Sequence, residues 1–469
     1  MDVIIVVNGD HTETKVILLE YSIKMRSLGH KVLMLDYSEA ASRHLQNRIS
    51  RLKTYLLYRD RLKKLIPNIC REFDIDYVEC CFDKQALSLT ERPVHFQQVF
   101  KSLVSSSLAL VTGDRHTNYK ELSRQRQKRL YKTFASVHDQ IISVIESRNK
   151  VEIVTLNGRF LIDGAAVYAA RNSSVEYILL ERAGHKIGRY SAYGKSPHSV
   201  LENRKVQDAH WHNYGPERDS KALEGLQKKM QAPLDNLASW ETDFTNEIEF
   251  KTTDNTKNVI FFPSMDLERP SYKYWEDIAT FNGDQALAFR EFANIAKRYG
   301  FKIFVRVHPP GPRGKSVTDK ADAYWQKIAE EVGAEIFFSR SGVDSNALMR
   351  DASLVVTYRS TIAIESILND KPTLILDETS YSHYVPECCA FTTEEIELFF
   401  QNGFQLIPHE RLYPWGLFYI SGGEEFKIIT VDATDDIKFR GIALYAQTKF
   451  GKSLKRLRAR VLKLMKHIS

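Results

Sequence analysis

Short, wholly apolar runs alternate along this chain with longer stretches in which apolar residues recur at helical spacing. Residues 351–377 show the pattern most clearly: an apolar run at residues 354–356 is followed by a polar turn at residues 357–361. Apolar residues at helical spacing then occupy residues 362–367, and a second apolar run covers residues 373–376. Uninterrupted apolar runs are typical of strands buried on both faces of a parallel sheet. The pattern therefore predicts one βαβ unit.

The polar turn of this unit is a candidate anion site. Arg359, Ser360 and Thr361 stand between the end of a predicted strand and the start of a predicted helix. At that junction the free backbone N–H groups and the helix dipole favour an anion. Glu365 lies one helical turn further on, where its carboxylate can accept from a ribose hydroxyl. The turn is therefore predicted to hold a nucleotide phosphate.

The same strand and helix rhythm occurs in both halves of the chain. It begins at residues 3–7 and, after the polar and irregular residues 233–257, restarts at residues 259–262. A length of 469 residues also favours two domains. We therefore predict an α/β protein in which two Rossmann-like domains face each other across a cleft. The predicted domains are residues 1–232, on the acceptor side, and residues 258–440, which bind the nucleotide sugar, with residues 233–257 as linker.

A cluster of polar residues in the first half is the best candidate for acid, base or nucleophile chemistry there. Asn157 and Arg159 follow one predicted strand, Asp163 lies just inside the next helix, and Glu181 ends the next strand. An open α/β sheet binds its ligands at the carboxyl ends of its strands. Asp163 can equally be a helix cap and Glu181 a salt-bridge partner. The loop at residues 8–12 lacks a Gly-x-Gly-x-x-Gly fingerprint, and we expect it to face an acceptor instead of a dinucleotide.

Three strand-end loops of the second half are expected to converge if its sheet is parallel. They carry Ser264, the pair Arg306 and His308, and the turn at residues 359–361. A departing phosphate needs its charge met by fixed donors, and a cation, an imidazole and a helix N-terminus supply them without a metal. His308 is therefore predicted to donate to the phosphate of the leaving nucleotide.

The positive charge of the chain is concentrated at its end. The formal net charge is +7, but residues 441–469 hold eight Lys or Arg and no acidic residue, so the remaining chain carries −1. Apolar residues recur at helical spacing among these cations, which predicts a basic amphipathic helix on an anionic membrane surface. A final helix packed on the body is the alternative, and nucleic acid is a weaker option because aromatic residues do not alternate with the cations.

A second basic stretch opens a predicted helix near residue 124, and a solvated helix face explains it most simply.

Other features of the sequence narrow the functional class. No apolar run approaches the length that spans a bilayer, and the chain opens directly on a strand, so a cytoplasmic protein is expected. The five cysteines match neither zinc spacing nor a disulfide framework. Asp74 and Asp76 have the Asp-x-Asp spacing that some sugar transferases use for a divalent metal, but a helix-to-strand junction explains them more simply. We expect neither a metal nor another cofactor.

Several segments together resemble a known protein family. They are VRVHPP, the stretch from residue 343 through DASLVVTYRSTIAIESILNDKPTLIL, and, upstream, NGRF and LERAG. They look like the capsule polysaccharide biosynthesis family of bacterial glycosyltransferases, which have the GT-B fold and include Kdo and nonulosonic acid transferases. The resemblance covers about residues 259–377 and, more loosely, 151–184.

By this resemblance, His308, Ser360 and Thr361 would hold the donor phosphate, Ser345 and Asn346 would lie near the base, and Glu365 would bind the ribose. An N-domain carboxylate would perform the chemistry, and Asp163 and Glu181 are the positions that match. Arg359 departs from the pattern, because a small residue is expected before the Ser-Thr pair.

The sequence thus predicts a glycosyltransferase that moves a sugar, Kdo or another nonulosonic acid, from a CMP-activated donor to a lipid-linked or oligosaccharide acceptor. CMP is favoured over UDP because no metal motif is present to neutralise a diphosphate. The enzyme is expected at the inner face of the cell membrane. Three alternatives stay open: a polyol-phosphate transferase of the teichoic-acid type with a CDP donor, a UDP-sugar transferase of the GT-B fold, and a non-catalytic assembly scaffold.

Overall fold

The computed structural model describes residues 1–8, 12–38, 40, 58–60, 62–82, 91–112, 119–185, 188–239, 257–264, 280–307, 315–341, 343–431 and 437–447. The helices are α1 (Thr12–Ser27), α2 (Leu62–Glu72), α3 (Val94–Thr112), α4 (Arg124–Glu146), α5 (Leu161–Asn172), α6 (Val200–Asn213), α7 (Arg218–Ser239), α8 (Gln285–Arg298), α9 (Lys315–Glu331), α10 (Ser345–Asp351), α11 (Ile362–Leu368), α12 (Thr393–Asn402) and α13 (Tyr413–Ser421).

The strands are β1 (Asp2–Val7), β2 (Lys31–Asp36), β3 (Tyr58–Asp60), β4 (Asp76–Glu79), β5 (Val151–Leu156), β6 (Glu176–Arg182), β7 (Arg189–Tyr193), β8 (Asn258–Phe262), β9 (Lys302–Arg306), β10 (Glu335–Phe337), β11 (Leu354–Thr357), β12 (Thr373–Ile375), β13 (Glu424–Glu425), β14 (Ile429–Val431), β15 (Ile437–Phe439), β16 (Ile442–Ala443) and β17 (Tyr445–Gln447).

Two compact units make up the chain, and each combines segments that are distant in sequence. The first unit comprises Met1–Ser107, Asn118–Pro197 and Gly422–Ser469, and the second comprises Leu108–Thr117 and His198–Ser421. Each unit contains a sheet of parallel strands with helices between them in sequence. This arrangement confirms the predicted α/β class with two Rossmann-like domains.

The sheet of the first unit has the strand order β13-β7-β6-β5-β1-β2-β4. Strands β6, β5, β1, β2 and β4 run parallel, whereas β7 and β13 each pair antiparallel with their neighbour. All six residues of β5 are buried, as expected for a central strand covered on both faces. Outward from β1, the strands follow in chain order through β2 and β4 on one side and through β5, β6 and β7 on the other. The direction of the strand order therefore reverses between β1 and β5.

The sheet of the second unit has the order β10-β9-β8-β11-β12, and every pair in it is parallel. The predicted βαβ unit at residues 351–377 is confirmed as β11, α11 and β12. Strands β8 and β11 are fully buried at the centre of the sheet. Here the chain order reverses between β8 and β11.

The predicted first boundary, after residue 232, is wrong, because α6 and α7 belong to the second unit. The reason is a close helix crossing: a Cβ on Gly225 of α7 would lie 2.0 Å from the carbonyl oxygen of Gly416 on α13. A side chain at either position would push the two backbones apart. The predicted linker at residues 233–257 begins inside α7, which continues to Ser239, and residues 240–256 lie outside the described part of the chain.

The predicted C-terminal boundary at residue 440 is also wrong, because the chain returns to the first unit at Gly422. Glu20 of α1 is buried, and its carboxylate accepts the backbone N–H groups of Lys427, Ile428 and Ile429 at 2.6 to 3.0 Å. Strand β13 pairs with β7 in the same unit. A buried carboxylate that accepts three backbone donors has its charge well satisfied, and this contact fixes the returning segment.

The helix predicted from residue 441 is wrong over residues 441–447, where the chain forms β16 and β17 instead. Strand β17 pairs antiparallel with β3 at Tyr445 to Asp60. The remainder of that prediction, residues 448–469, lies outside the described residues. In the part of the chain that the structure describes, no helix is both long and apolar enough to cross a membrane.

Candidate functional site

Asp163 lies at the point in the first unit where the strand order reverses. Its Oδ2 accepts a hydrogen bond from Asn8 Nδ2 at 2.8 Å, and its Oδ1 lies 2.9 Å from the hydroxyl oxygen of Thr155. Asn8 follows β1 and Thr155 belongs to β5, so the carboxyl of Asp163 bridges the ends of these two strands. In open α/β sheets this reversal point opens the crevice in which ligands bind.

The carboxyl group of Asp163 is completely buried. Burial raises its pKa from 3.8 to about 7, although the hydrogen bonds from Asn8 and Thr155 oppose the shift, and the nearby charge of Glu181 raises the pKa further. The hydroxyl of Thr155 also lies 3.0 Å from the carbonyl oxygen of Val6, which can only accept. The single hydroxyl proton of Thr155 can serve only one of these two acceptors at a time, and when it is donated to Val6 the hydroxyl oxygen can accept a hydrogen bond from a protonated Asp163.

Glu181 is the more accessible carboxylate of the predicted pair. It lies in β6, is half-buried, and accepts a hydrogen bond from the side-chain amide of Asn157. Asn157 has a φ of 58°, a left-handed conformation that asparagine tolerates better than most residues. That conformation turns the chain sharply after β5. The structure thus brings Asn157, Asp163 and Glu181 to one sheet edge, as the sequence predicts.

Arg159 also lies near this edge and is 8% exposed. Its guanidinium carbon is 4.8 Å from the centre of the Phe160 ring, a distance at which a cation interacts with the face of an aromatic ring. Arg182, which follows Glu181, forms an ion pair of 3.4 Å with Glu13 in the first turn of α1. Cations and carboxylates therefore alternate along the carboxyl edge of this sheet.

In the second unit, Ser264 and the turn at residues 358–361 flank the corresponding reversal point. Ser264 follows β8, and the turn follows β11, its neighbour in the sheet. The buried side chain of Gln285, the first residue of α8, accepts from the backbone N–H of Ser264 and donates to its carbonyl, both at 3.2 Å. Two opposed hydrogen bonds to one residue fix the backbone of this loop.

The turn after β11 is held by each of its first three residues. Tyr358 donates from its hydroxyl to the carbonyl of Thr280 at 3.1 Å, and the hydroxyl of the buried Tyr381 donates to the carbonyl of Ser360. Arg359 has a φ of 53° and forms an ion pair of 3.0 Å with Asp377. This left-handed residue, unexpected from the sequence, is stabilised by its buried partner.

Asp377 follows β12 and is completely buried. Beyond its ion pair with Arg359, it accepts from the backbone N–H and hydroxyl of Thr280 and from the backbone N–H of Glu378, at 2.9 to 3.0 Å. The carboxylate of Asp377 thus accepts hydrogen bonds from two neighbouring segments of the unit. The guanidinium of Arg359 is therefore paired with a carboxylate of the protein itself.

Ser360 and Thr361 lead into α11, which is only seven residues long. The hydroxyl of Ser360 accepts from the backbone N–H of Ile362 at 3.3 Å, and the hydroxyl of Thr361 makes no cap hydrogen bond. Glu365 is 7% exposed, and its Oε1 forms an ion pair of 2.6 Å with Lys229 of α7. Lys229 therefore fixes one oxygen of the carboxylate that is predicted to bind a ribose.

Arg306 ends β9 and is 1% exposed. Its guanidinium donates to the carbonyls of Val307 at 2.9 Å, Phe338 at 2.7 Å and Val343 at 3.1 Å. Burial lowers the pKa of this guanidinium to about 10. The side chain thus ties together the loops that follow β9 and β10, and His308, two residues further on, lies outside the described residues.

Ser345 and Asn346 begin α10, and Asp344 caps this helix by accepting from the backbone N–H of Asn346 at 3.0 Å. They follow β10, which is three strands from β11 in the sheet, or about 14 Å at the usual strand spacing. The structure therefore places them at the same edge as Ser360 and Thr361 but well away from the turn.

Asp74 and Asp76 lie at the opposite, amino-terminal edge of their sheet. Asp76 is the first residue of β4 and pairs with Leu33 near the start of β2, and Asp74 forms an ion pair with Arg26. Across the described ranges, no group of three or more His, Cys, Asp or Glu side chains is arranged to hold a metal ion.

Several contributors to these sites were missed from the sequence. Thr155 could have been found as a polar residue within an apolar strand, and Asp377 as the residue that directly follows one. Gln285, Tyr381 and Lys229 gave no comparable signal, because each acts on a residue at least 21 positions away in the chain.

Comparisons with known proteins found likeness in structure alone. No protein-family model and no curated protein matches the chain. The KpsC β-Kdo 2,7 transferase of Thermosulfurimonas dismutans is 12% identical with a TM-score of 0.36, over 72% of this chain and 97% of that one.

Two other solved structures are similar to a comparable degree. A glycosyltransferase from Rickettsia africae is 11% identical with a TM-score of 0.27, over 89% of this chain and 94% of its own. The α,α-trehalose 6-phosphate synthase of Burkholderia multivorans is 8% identical with a TM-score of 0.34, over 89% and 91%. These scores are too low to assign a function to this chain by likeness.

Proposed function

We propose that this protein is a glycosyltransferase that moves a sugar from a CMP-activated donor, Kdo or another nonulosonic acid, to a glycan or glycolipid acceptor. The observation that supports this most directly is the position of the polar residues. In each unit they lie where the strand order of a parallel sheet reverses, Asn8 and Asp163 in the first and Ser264 and Ser360 in the second. Such points bind ligands in open α/β sheets.

In this proposal the second unit binds the donor. Ser360 and Thr361 hold the phosphate, and Glu365 accepts from a ribose hydroxyl with the oxygen that Lys229 does not occupy. Ser345 and Asn346 lie along the same sheet edge, toward the base. His308 keeps its predicted role of donating to the leaving phosphate, and Arg306 fixes Val307, the residue directly before it, by donating to its carbonyl.

The first unit supplies the group that activates the acceptor. During transfer an acceptor hydroxyl loses its proton to a carboxylate, a new bond forms to the anomeric carbon, and the bond to the CMP phosphate breaks with its electron pair leaving on CMP. Glu181 suits the proton acceptor because it is partly exposed. Asp163, with both oxygens in hydrogen bonds, instead orients Asn8, while Asn157 orients Glu181 and Arg159 contributes positive charge for the acceptor.

The charge balance of the described donor side favours a carrier with one phosphate. Arg359 is paired with Asp377 and Lys229 with Glu365, so neither cation is fully available to a diphosphate. Arg306 binds carbonyls and adds one positive charge without a contacting carboxylate in the described residues. A single phosphate requires fewer compensating donors, so CMP is proposed over UDP, and no metal is required.

We place the enzyme at the cytoplasmic face of a membrane. The support is the eight Lys and Arg of residues 441–469, interleaved with apolar residues at helical spacing and accompanied by no acidic residue. Such a stretch attracts an anionic lipid surface, at about 1 kcal/mol for each cation close to it. It would bring the enzyme to a lipid-linked acceptor.

Nucleotide binding tests the proposal first. Calorimetry with CMP, UDP and CDP is expected to give the tightest binding for CMP, and the S360A/T361A variant should weaken it at least about tenfold through lost phosphate contacts. The matched S220A/T430A variant also removes two exposed hydroxyl groups, at positions far in sequence from Ser360 and Thr361. It should bind CMP with wild-type affinity. Binding of none of the three nucleotides would contradict the donor assignment and favour a scaffold.

Turnover tests the reaction itself. CMP-linked sugars are incubated with a glycan acceptor while release of CMP is followed, and H308A and E181Q are expected to abolish it without loss of fold. A phosphodiester in the product would instead identify a polyol-phosphate transferase. Turnover only with UDP-sugars would overturn the choice of carrier.

A further inference from the structure

The first half of α4 carries an unusually basic surface. Over residues 124–132 the exposed residues are the glutamine Gln125 and five cations. The cations, which we name the α4 basic face, are Arg124, Arg126, Lys128, Arg129 and Lys132. With about 100° between successive helical residues, they cover an arc of about 200° and extend about 12 Å along the helix.

The remaining residues of this half turn toward the unit. Leu130 and Tyr131 are each 7% exposed, and the six residues 133–138 that follow are all buried. The middle of the helix, residues 133–138, is thus embedded in the fold, whereas the first half presents more than half of its circumference to solvent. The α4 basic face is therefore convex and accessible.

Four of the five cations of this face lack an acidic partner in the part of the chain that the structure describes. The first turn of α4 contains no acidic residue, and Arg124, Arg126, Lys128 and Arg129 form no ion pair within the described residues. The helix dipole is also positive at this end, so the cations are placed where the backbone disfavours them. The mutual repulsion of these cations and their repulsion from the helix dipole lower the stability of the free protein. An anionic partner that binds the cations would offset this repulsion.

We infer that the α4 basic face docks the protein on the anionic headgroups of a lipid bilayer. A broad convex array of cations matches an extended layer of negative charge better than it matches a single anion, which needs a concave site. Because the arc contains no exposed apolar residue, this binding is electrostatic, with no insertion. Nucleic acid is disfavoured, since no exposed aromatic residue on the arc can stack on a base.

The α4 basic face is distant in sequence from residues 441–469, and its docking does not depend on the proposed transfer reaction. Its test compares two variants of the full chain. R124Q/R126Q/K128Q/R129Q removes four charges from the face, and K297Q/K327Q/R340Q/R350Q removes four exposed cations from the second unit. Both lower the net charge equally, and Gln preserves helix propensity.

Binding is measured by sedimentation with vesicles of two parts phosphatidylcholine to one part phosphatidylserine, and with pure phosphatidylcholine as reference. Each headgroup-bound cation contributes about fivefold to the partition coefficient. We therefore expect the α4 variant to bind the anionic vesicles at least about 50-fold more weakly, while the matched control keeps most of the wild-type affinity. Added salt should weaken wild-type binding by screening.

Equal losses in the two variants would show a dependence on net charge alone and overturn the inference, as would unchanged binding in both. Unchanged vesicle binding combined with lost binding to a soluble anionic polysaccharide would reassign the face to a glycan. The thermal midpoint of the α4 variant should equal or exceed that of the wild type, because cations have been removed from the helix N-terminus. That measurement separates docking from misfolding.

Discussion

The hydroxyl oxygen of Thr155 lies 2.9 Å from Oδ1 of Asp163, deep at the carboxyl edge of the first sheet. When the one proton of this hydroxyl is donated to the carbonyl of Val6, none is left for the contact with Asp163. The hydrogen bond between Thr155 and Asp163 then requires a proton on the carboxyl of Asp163. The geometry and the pKa of Asp163, which burial raises to about 7, agree on a carboxyl that is protonated below about pH 7. Asp163 then acts as a hydrogen-bond donor that joins β1 to β5.

The first prediction concerns the pH dependence of stability. The pKa of Asp163 rises from 3.8 in its ordinary state to about 7 in the folded protein. Between these values the folded state holds a proton that the unfolded state has lost, so stability falls as pH rises from about 4 to about 7. The contribution is on the order of 4 kcal/mol at most.

D163N should remove this dependence, because its amide can donate to Thr155 and its oxygen can accept from Asn8. In urea unfolding between pH 5 and 8, the free energy of unfolding of D163N is expected to increase relative to that of the wild type as pH rises. D351N, which changes an exposed carboxylate, is the control and should follow the wild type. Identical pH slopes for D163N and the wild type would contradict a neutral Asp163.

The second prediction concerns Tyr381, whose hydroxyl binds the carbonyl of Ser360. Y381F removes this hydrogen bond, at a cost of about 1 kcal/mol of stability, and leaves the turn at residues 358–361 less fixed. CMP affinity is expected to fall about three- to tenfold. Y384F is a matched control, since Tyr384 donates to Asp208 at 2.6 Å and not to the turn. Equal nucleotide affinities in the two variants would exclude the positioning role.

The third prediction concerns the ion pair between Lys229 and Glu365, whose side chains are 15% and 9% exposed. K229M should destabilise the second unit by about 3 kcal/mol, because it leaves a largely buried carboxylate without its partner. The K229M/E365Q double variant should recover much of this loss. Urea unfolding of the four proteins gives the coupling energy, and strict additivity would show that the two side chains do not interact.

The fourth prediction concerns the crossing of α7 and α13. A Cβ on Gly225 would lie 2.0 Å from the carbonyl oxygen of Gly416, so G225A should lower the free energy of unfolding by about 3 kcal/mol through overpacking. G215A is the control, because a Cβ at that position meets nothing within 4 Å. A G225A protein as stable as G215A would argue against the placement of α7 in the second unit.

Local pattern was enough to predict the βαβ unit at residues 351–377. Its apolar runs and helical spacing are properties of consecutive residues, and β11, α11 and β12 follow them closely. The clustering of Asn157, Asp163 and Glu181 was also predictable, because the carboxyl ends of parallel strands meet at one sheet edge. These predictions required no knowledge of distant contacts.

The partners of these residues could not be predicted in the same way. Arg359 was predicted to bind the donor nucleotide, but it pairs with the buried Asp377, and Glu365 pairs with a lysine 136 positions earlier in the chain. Nothing in the local sequence distinguishes a cation that awaits a ligand from one already paired. Only the packing of β12 and α7 against α11 made the distinction.

The sequence by itself determined the α/β class, the strand and helix rhythm of both halves and the polar residues at the strand ends, because periodicity and strand-end chemistry are local. The tertiary structure alone decided which segments form each unit. It assigned α6 and α7 to the second unit and returned residues 422–447 to the first, where Glu20 binds backbone groups 407 to 409 positions away. Contacts at such separations depend on close packing and buried hydrogen bonds, which no local pattern records.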